Sequence, residues 1–454
     1  MLVLKGLDLF AGAGGMSLGM QWAGIEVVGG IEYNPHAVAA YKHNLGGHVV
    51  CADITEFSPQ DMEEHLLEEG SIQSAAEIDV VFGGPPCPGF SNIGRSKISS
   101  LIKSGEWEGS DHRHKFIDDE RNELFREFVK YVEHFQPQVF VMENVKGMKS
   151  YETKKHGTIV DIIQAEFRSL GYEVEVDVMN SSGFGVAQNR QRLIFMGTRE
   201  ASKLTHPQFA AWAISLSDVI ADLPSVDPLT GASTAEQLEP FKNVRGSKRR
   251  KQALRYLRKQ ALPRPRPRNS RALQEHRTRK VNARDQAIFP LLRSGENGPR
   301  VLYKHVYPDM LNLVKKNLPK GYAMAGKRKG YVVYQKDNPD TKWVWYKASS
   351  FGDKMRRLKL GEPSPTVVAH LAKDGYMFVH PTEDRTISIL EAARIQSFPD
   401  SFDFSAGGTI AFSHQMRQIG NAVPPLMALA IGVAIMQHLA KQPLMTLKEV
   451  YPAR

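Results

Sequence analysis

Cysteine is almost missing from this chain, with two in 454 residues. Two thiols cannot build a disulfide framework or a four-ligand zinc site, so a reducing, cytoplasmic setting is expected. No apolar run reaches the roughly 20 residues that a membrane-spanning helix needs, and no membrane partner is expected. No secretory leader is visible, because MLVLKGLDLF has one lysine and no small-residue cleavage site. No Gly-Lys-Ser/Thr triplet occurs, which argues against a phosphate-binding P-loop. The dinucleotide pattern GxGxxG also fails: counting from Gly12 gives GxGxxS, which disfavours a nicotinamide dehydrogenase. There is no internal repeat.

Acidic residues are scarce in one stretch. Residues 242–284 carry 17 Lys or Arg and the single acid Glu275, within a chain of net charge +10. Such a run suits a polyanionic partner; the competing reading is a solvated, tail-like loop. Its RPRPRN segment (264–269) cannot be interior helix, because proline lacks an amide hydrogen.

Up to about residue 200 the chain alternates short Val/Ile-rich runs with amphipathic stretches. LKGLDLF, EVVGGIE, HVVCAD, IDVVFGG and QVFVMENV read as buried strands. MSLGMQWAG, HAVAAYKHN, LFREFVKYVEHF and IVDIIQAEFRSLG between them read as helices. This alternation predicts an α/β, Rossmann-like domain with a largely parallel sheet. YEVEVDVMN and RLIFMGT are placed as an antiparallel end, making the sheet mixed. GYVVYQ and KWVWYK read as short strands of a smaller, irregular module. SILEAARIQSF reads as a helix, and LMALAIGVAIMQHLA (426–440), apolar nearly all round, as a buried one.

Chemistry-bearing residues gather at strand ends. DLFAGAGG (8–15) ends the first strand and opens a helix. Backbone amides at such a turn can approach a ligand; a purely structural turn is the alternative. The second strand ends in Glu32 and Tyr33, a carboxylate able to accept ribose hydroxyls and a ring able to cover an adenine. The third ends in Asp53 and Ile54. Ligands of open α/β sheets bind at these carboxyl ends, so an adenosine-containing ligand is expected. After the fourth strand, GGPPCPGF sets Cys87 among prolines. That stiffness suits a positioned nucleophile as well as a structural loop. Cys51, within HVVCAD, reads as an ordinary structural cysteine. The fifth strand runs into Glu143, a cap or surface acid unless it shares the site with Cys87. Arg190 and Arg192 alternate along QNRQRLIF, so both can face one groove.

Taken in order, DLFAGAGG, IEYN, ADI, GGPPCPGFS, ENV, QNRQRLIF, RTISILEAARIQSFP (385–399) and QIGNAVPP closely resemble the DNA (cytosine-5) methyltransferases, over residues 3–198 and 363–440. The resemblance implies S-adenosyl-L-methionine as cofactor, contacted by Phe10, Gly12, Gly14, Gly15, Glu32, Tyr33, Asp53, Ile54, Pro86, Leu124 and Asn421. It implies Cys87 as nucleophile, Glu143 as the acid at cytosine N3, and Arg190 and Arg192 at the flipped base. Arg121 and Thr366 would touch DNA. The implied organisation is a catalytic and cofactor-binding domain (1–199), a target recognition domain (200–384) and a return segment (385–454). Double-stranded DNA is the implied partner, with a cognate restriction endonuclease or a solitary role both open; a monomer near the nucleoid is expected. An RNA substrate, or a non-catalytic DNA-binding regulator, are the competing functions.

Overall fold

The computed structural model describes residues 3–86, 124–150, 152–153, 157–207, 214–233, 275–295, 310–325, 332–344 and 355–441. Cys87, Arg121 and residues 242–274 of the basic run lie outside them. The chain forms two compact units. One holds the described residues up to 207 and those from Ala422 on; the other holds the described residues from Ile214 to Asn421.

In the first unit, β1 (Leu4–Leu9), α1 (Gly15–Trp22), β2 (Ile25–Glu32), α2 (Pro35–Leu45), β3 (His48–Cys51), α3 (Pro59–Glu68) and β4 (Ile78–Gly83) alternate. Then come α4 (Leu124–Phe135), β5 (Val139–Val145), α5 (Ile159–Ser169), β6 (Glu173–Asn180) and β7 (Gln191–Thr198). The seven strands lie in the order β3-β2-β1-β4-β5-β7-β6. β1 to β5 pair in parallel, while β7 runs antiparallel to both β5 and β6. The mixed sheet is therefore as expected, with one reversed strand.

Local chemistry fixes the helix starts. Asn34 accepts the His36 and Ala37 amides ahead of α2, and Ser58 and Thr158 form reciprocal capping boxes with Asp61 and Asp161. One face of the sheet packs Leu7, Leu9, Val81, Phe140 and Phe195 against α4 and α5, whose Phe128 and Phe167 are buried.

Across residues 412–439 the chain is apolar enough to cross a membrane by length and composition, more than the sequence reading allowed. Helix Pro425–Leu439 is instead a buried core element. Small residues let it approach α1 closely: a Cβ on Gly19 would strike Ala428, and one on Gly432 would lie 2.6 Å from the Ala23 methyl.

The second unit contains a three-stranded antiparallel sheet of Tyr322–Ala325, Val332–Gln335 and Asn338–Val344. Val281, Ile288, Phe289, Val314 and Val333 form its core. Residues 385–421, read from the sequence with the return segment, group with this unit. The buried Arg394–Asp222 pair ties the segment to the rest of this unit, and further buried pairs lie within the segment. Arg394 meets Asp222 at 2.7 Å and Asp400 at 2.7 Å, and fully buried Arg385 holds both oxygens of Glu391 at 2.8 Å. Spacing along the sequence carries no record of such partners.

Candidate active site

The first strand ends in an unusual backbone. Phe10 has φ 59°, Gly12 φ 57° and Gly14 φ 91°. Left-handed torsions are costly for phenylalanine and natural for glycine. A Cβ on Gly12 would meet nothing within 4 Å, so that glycine faces open space. A Cβ on Gly14 would instead collide with Leu45 and lie 2.8 Å from the Tyr41 ring. One glycine leaves the turn approachable; the other lets it pack.

Glu32, at the end of β2, reaches across to this turn. Gly12 N–H donates to its Oε2 at 2.9 Å and Asn34 N–H to its Oε1 at 2.8 Å. Burial raises its pKa, while these two amides oppose the rise. Tyr33 beside it is 72% exposed, unusual for a large ring and suited to stacking on a planar ligand. Asp53 is exposed just past β3, its Oδ1 accepting the Thr55 amide at 3.0 Å and hydroxyl at 2.8 Å, with Ile54 buried behind it. Glycine turn, carboxylate, ring and second carboxylate thus share the carboxyl edge of three adjacent strands.

Cys51 departs from expectation. It is exposed rather than buried, because it ends β3 at this edge; its Sγ lies 4.0 Å from the Tyr33 carbonyl. An apolar strand pattern does not say where the strand stops.

The fourth and fifth strands extend the same edge. Pro86, exposed, is the last described residue before Cys87. Asn144 Nδ2 donates to the Pro85 carbonyl at 3.2 Å and ties this segment to the end of β5. Glu143 pairs in register with Ile194, which places Arg192 diagonally across from it on the same face. Arg192 Nε meets Glu143 Oε1 at 2.6 Å, with both side chains mostly shielded. The other carboxyl oxygen faces Gly84: a Cβ there would sit 2.9 Å from Oε2. The missing side chain at Gly84 therefore makes room for the acid, a role its position in GGPPCPGF did not disclose.

Arg190 requires a correction. Alternation suggested that it faces a groove with Arg192, but it is only 2% exposed. Its amide donates to Ser181 Oγ at 3.3 Å and its carbonyl accepts the Ser181 amide at 3.0 Å. Burial, then the charge of Arg192, hold its guanidinium pKa below the usual arginine range, and Glu143 opposes this. Arg190 is thus buried and within electrostatic reach of Glu143 and Arg192.

Leu124, half-buried, opens α4 and packs on the core. Asn421 is exposed at the end of helix Phe412–Asn421, and Thr366 is half-buried just past Ser364–Pro365, both in the second unit. Sequence reasoning passed over Asp8, which is 1% exposed beneath the glycine turn. Its signal was a charged residue inside an apolar strand. An open depression around Tyr172, Glu173 and Lys203 lies at the opposite edge of the sheet, away from this chemistry.

The profile of C-5 cytosine-specific DNA methylases matches residues 4–437. The type II methyltransferase M.AgeI of Thalassovita gelatinovora is 29% identical, across 95% of this chain and 99% of its own length. M.XorII of Xanthomonas oryzae pv. oryzae, also a type II methyltransferase, is 30% identical over 96% of this chain and 86% of its own. A crystal structure of a candidate DNA modification methyltransferase encoded within an E. coli prophage superposes with TM-score 0.64. It is 21% identical and covers 96% of this chain and 99% of that one, a likeness of fold.

Proposed function

Because the chain belongs to the C-5 cytosine-specific DNA methylase family, we propose that the edge described above carries out cytosine-5 methylation through Cys87, Glu143 and Arg192. The protein is a DNA cytosine-5 methyltransferase. The observation that carries the site reading is the Glu143–Arg192 pair, set against the Gly84–Pro86 segment that leads into Cys87.

Cytosine C5 is a poor nucleophile, and a thiolate changes that. Cys87 Sγ bonds to C6, and the electron pair displaced from the C5–C6 bond is delocalised toward N3. Glu143 gives N3 a proton or a strong hydrogen bond and so disperses that charge. Arg192 fixes Oε1, and Oε2, on the Gly84 side, is left for the proton or hydrogen bond to N3. C5, now enamine-like, accepts a methyl group. Loss of the C5 proton to a base and departure of the thiolate then restore the aromatic ring. The target carbon is hidden in a duplex, so the base must be turned out of the stack.

Methyltransferases of this family use S-adenosylmethionine, which supplies an electrophilic methyl group. The donor set suits that ligand. Glu32 would hold the ribose, Tyr33 and Phe10 the adenine faces, Asp53 the adenine amino group, and Gly12 to Gly15 the methionine end. Pro86 and Leu124 complete the proposed contacts.

The second unit supplies DNA recognition in this reading. In the described part of the basic run, Arg279 and Arg284 are committed to Asp285 at 2.9 and 3.0 Å. Arg277 and Lys280 hold no ion pair among the described residues, which suits phosphate contact. Arg121 and Thr366 are further proposed DNA contacts, and Arg190 supports the pair at the flipped base. The relatives' type II names suggest service in a restriction-modification system, with a cognate endonuclease as partner.

Bisulfite sequencing of DNA from a host expressing the protein tests the function. Methylated cytosines in one recurring sequence are expected. Unmethylated DNA, or methylation confined to RNA, would refute it.

A further inference from the structure

Two carboxyls brace the segment that carries the glycine turn, one at the turn and one at the helix that follows it. Glu32 takes the Gly12 amide. Asp8 stands in β1, opposite Gly30 of β2. Ser17 Oγ, in the first turn of α1, donates to Asp8 Oδ2 at 2.5 Å, and Tyr41 OH of α2 donates to Ser17 Oγ at 2.8 Å. Gly14, the residue before α1, offers no side-chain cap, and Asp8 anchors the first turn of α1 from the preceding strand through the Ser17 hydroxyl. The Tyr41 ring meanwhile packs under Gly14. All three side chains are at most 2% exposed.

We propose that Asp8 is a positioning residue for ligand binding at the Gly12–Gly15 turn, acting through Ser17 and Tyr41. This rests on the reading that S-adenosylmethionine binds there. The start of α1 sets the direction of the turn's amides, and Asp8 sets the start of α1. A helix N-terminus attracts an anionic ligand group, such as an amino-acid carboxylate. A neutral Asp8 anchors the first turn of α1 without opposing that attraction; an ionised one opposes it.

The groups facing Asp8 are Glu32 from β2 and Tyr41 from α2. Burial chiefly pushes the Asp8 pKa up to about 8; the Glu32 charge adds to this and Ser17 works against it. Burial and the Asp8 charge likewise push Tyr41 up. Ligand affinity is therefore expected to fall as pH rises past about 8. Asparagine, which keeps the acceptor and cannot ionise, removes that fall.

Titration calorimetry of the full chain with S-adenosylhomocysteine, from neutral to alkaline pH, tests this. Asp8→Ala and Ser17→Ala should bind about tenfold more weakly at neutral pH, the scale of one lost buried hydrogen-bond acceptor or donor. Asp8→Asn should stay near wild type at neutral pH and bind more tightly than wild type in alkali. The ligand's own titration is common to both proteins and cancels in that ratio. If Asp8→Ala binds like wild type, or wild type and Asp8→Asn keep a constant ratio across pH, the proposal fails. If Asp8→Ala does not fold, Asp8→Asn and Tyr41→Phe still decide it, the latter expected to weaken binding at every pH. A wild type that binds no S-adenosylhomocysteine at any pH would instead refute the cofactor reading of the turn, and the proposal with it.

Discussion

Replacing Glu275 with glutamine should stabilise the protein at alkaline pH and leave it almost unchanged near pH 5. Glu275 is 6% exposed, and its Oε1 accepts the Ser405 amide at 3.0 Å. Asp403 lies against it, accepting the same amide at 2.9 Å and the Gly407 amide at 3.0 Å. Burial first, then the Asp403 charge and a hydrogen bond to it, push Glu275 from 4.5 up to about 8. The folded pKa is thus above the unfolded one. Between the two values the unfolded chain has released the proton and the folded chain still holds it. Stability therefore falls as pH rises through that window and is flat above it. At about 1.4 kcal/mol per pH unit, the interval is worth about 5 kcal/mol. Glutamine keeps the acceptor for Ser405, can donate to Asp403, and has no proton to lose. Urea unfolding of both proteins from pH 5 to pH 9 measures the difference. The gap should open from near zero at pH 5 to several kcal/mol in favour of the variant above pH 8. The Asp8 contribution has the same sign but is common to both proteins. Parallel stability curves, or a variant weaker at pH 9 than at pH 5 relative to wild type, would refute the raised Glu275 pKa.

Four other outcomes follow from the site. Gly84→Ala would place a methyl group 2.9 Å from Glu143 Oε2, so methylation should fall at least about tenfold while the melting temperature changes little. Arg192→Lys exchanges a planar fork for a point charge at a 2.6 Å contact; kcat should drop while S-adenosylhomocysteine affinity, measured calorimetrically, holds. Glu32→Ala removes the acceptor of the Gly12 and Asn34 amides and the proposed ribose contact, and should weaken S-adenosylhomocysteine by more than about tenfold in the same assay. Finally, affinity for unrelated DNA should fall steeply with salt, and Arg277→Ala with Lys280→Ala should flatten that log-log slope by about 2 in a fluorescence titration.

The strand-end arrangement was legible because its signals are local. Apolar runs gave the strands, and Gly12, Glu32 and Asp53 sit where those runs stop. Other features depended on partners distant in sequence. Arg192 meets Glu143 because of the β5–β7 register, which spacing alone does not set. Alternation let Arg190 face one groove with Arg192, yet its side chain is buried, which spacing alone does not reveal. Cys51 looked interior because its strand is apolar, but the strand ends at it. The placement of 385–421 depends on Arg394 finding Asp222, and the buried acid Glu275 on finding Asp403. Asp8 was visible as a charge in an apolar strand, but its role appears only when α1 and α2 bring Ser17 and Tyr41 to it.

The central claim is covalent catalysis by Cys87, supported by Glu143. It is tested most directly with a duplex carrying 5-fluorocytosine at the methylated position, where the C5 proton is replaced and the thiolate cannot leave. Incubation with S-adenosylmethionine, followed by mass spectrometry under denaturing conditions, should show protein plus DNA plus one methyl group for wild type. Cys87→Ser should show no adduct while still binding the duplex. A preparation that methylates ordinary DNA but forms no adduct with the fluorinated duplex, or an adduct that persists in Cys87→Ser, would contradict the account.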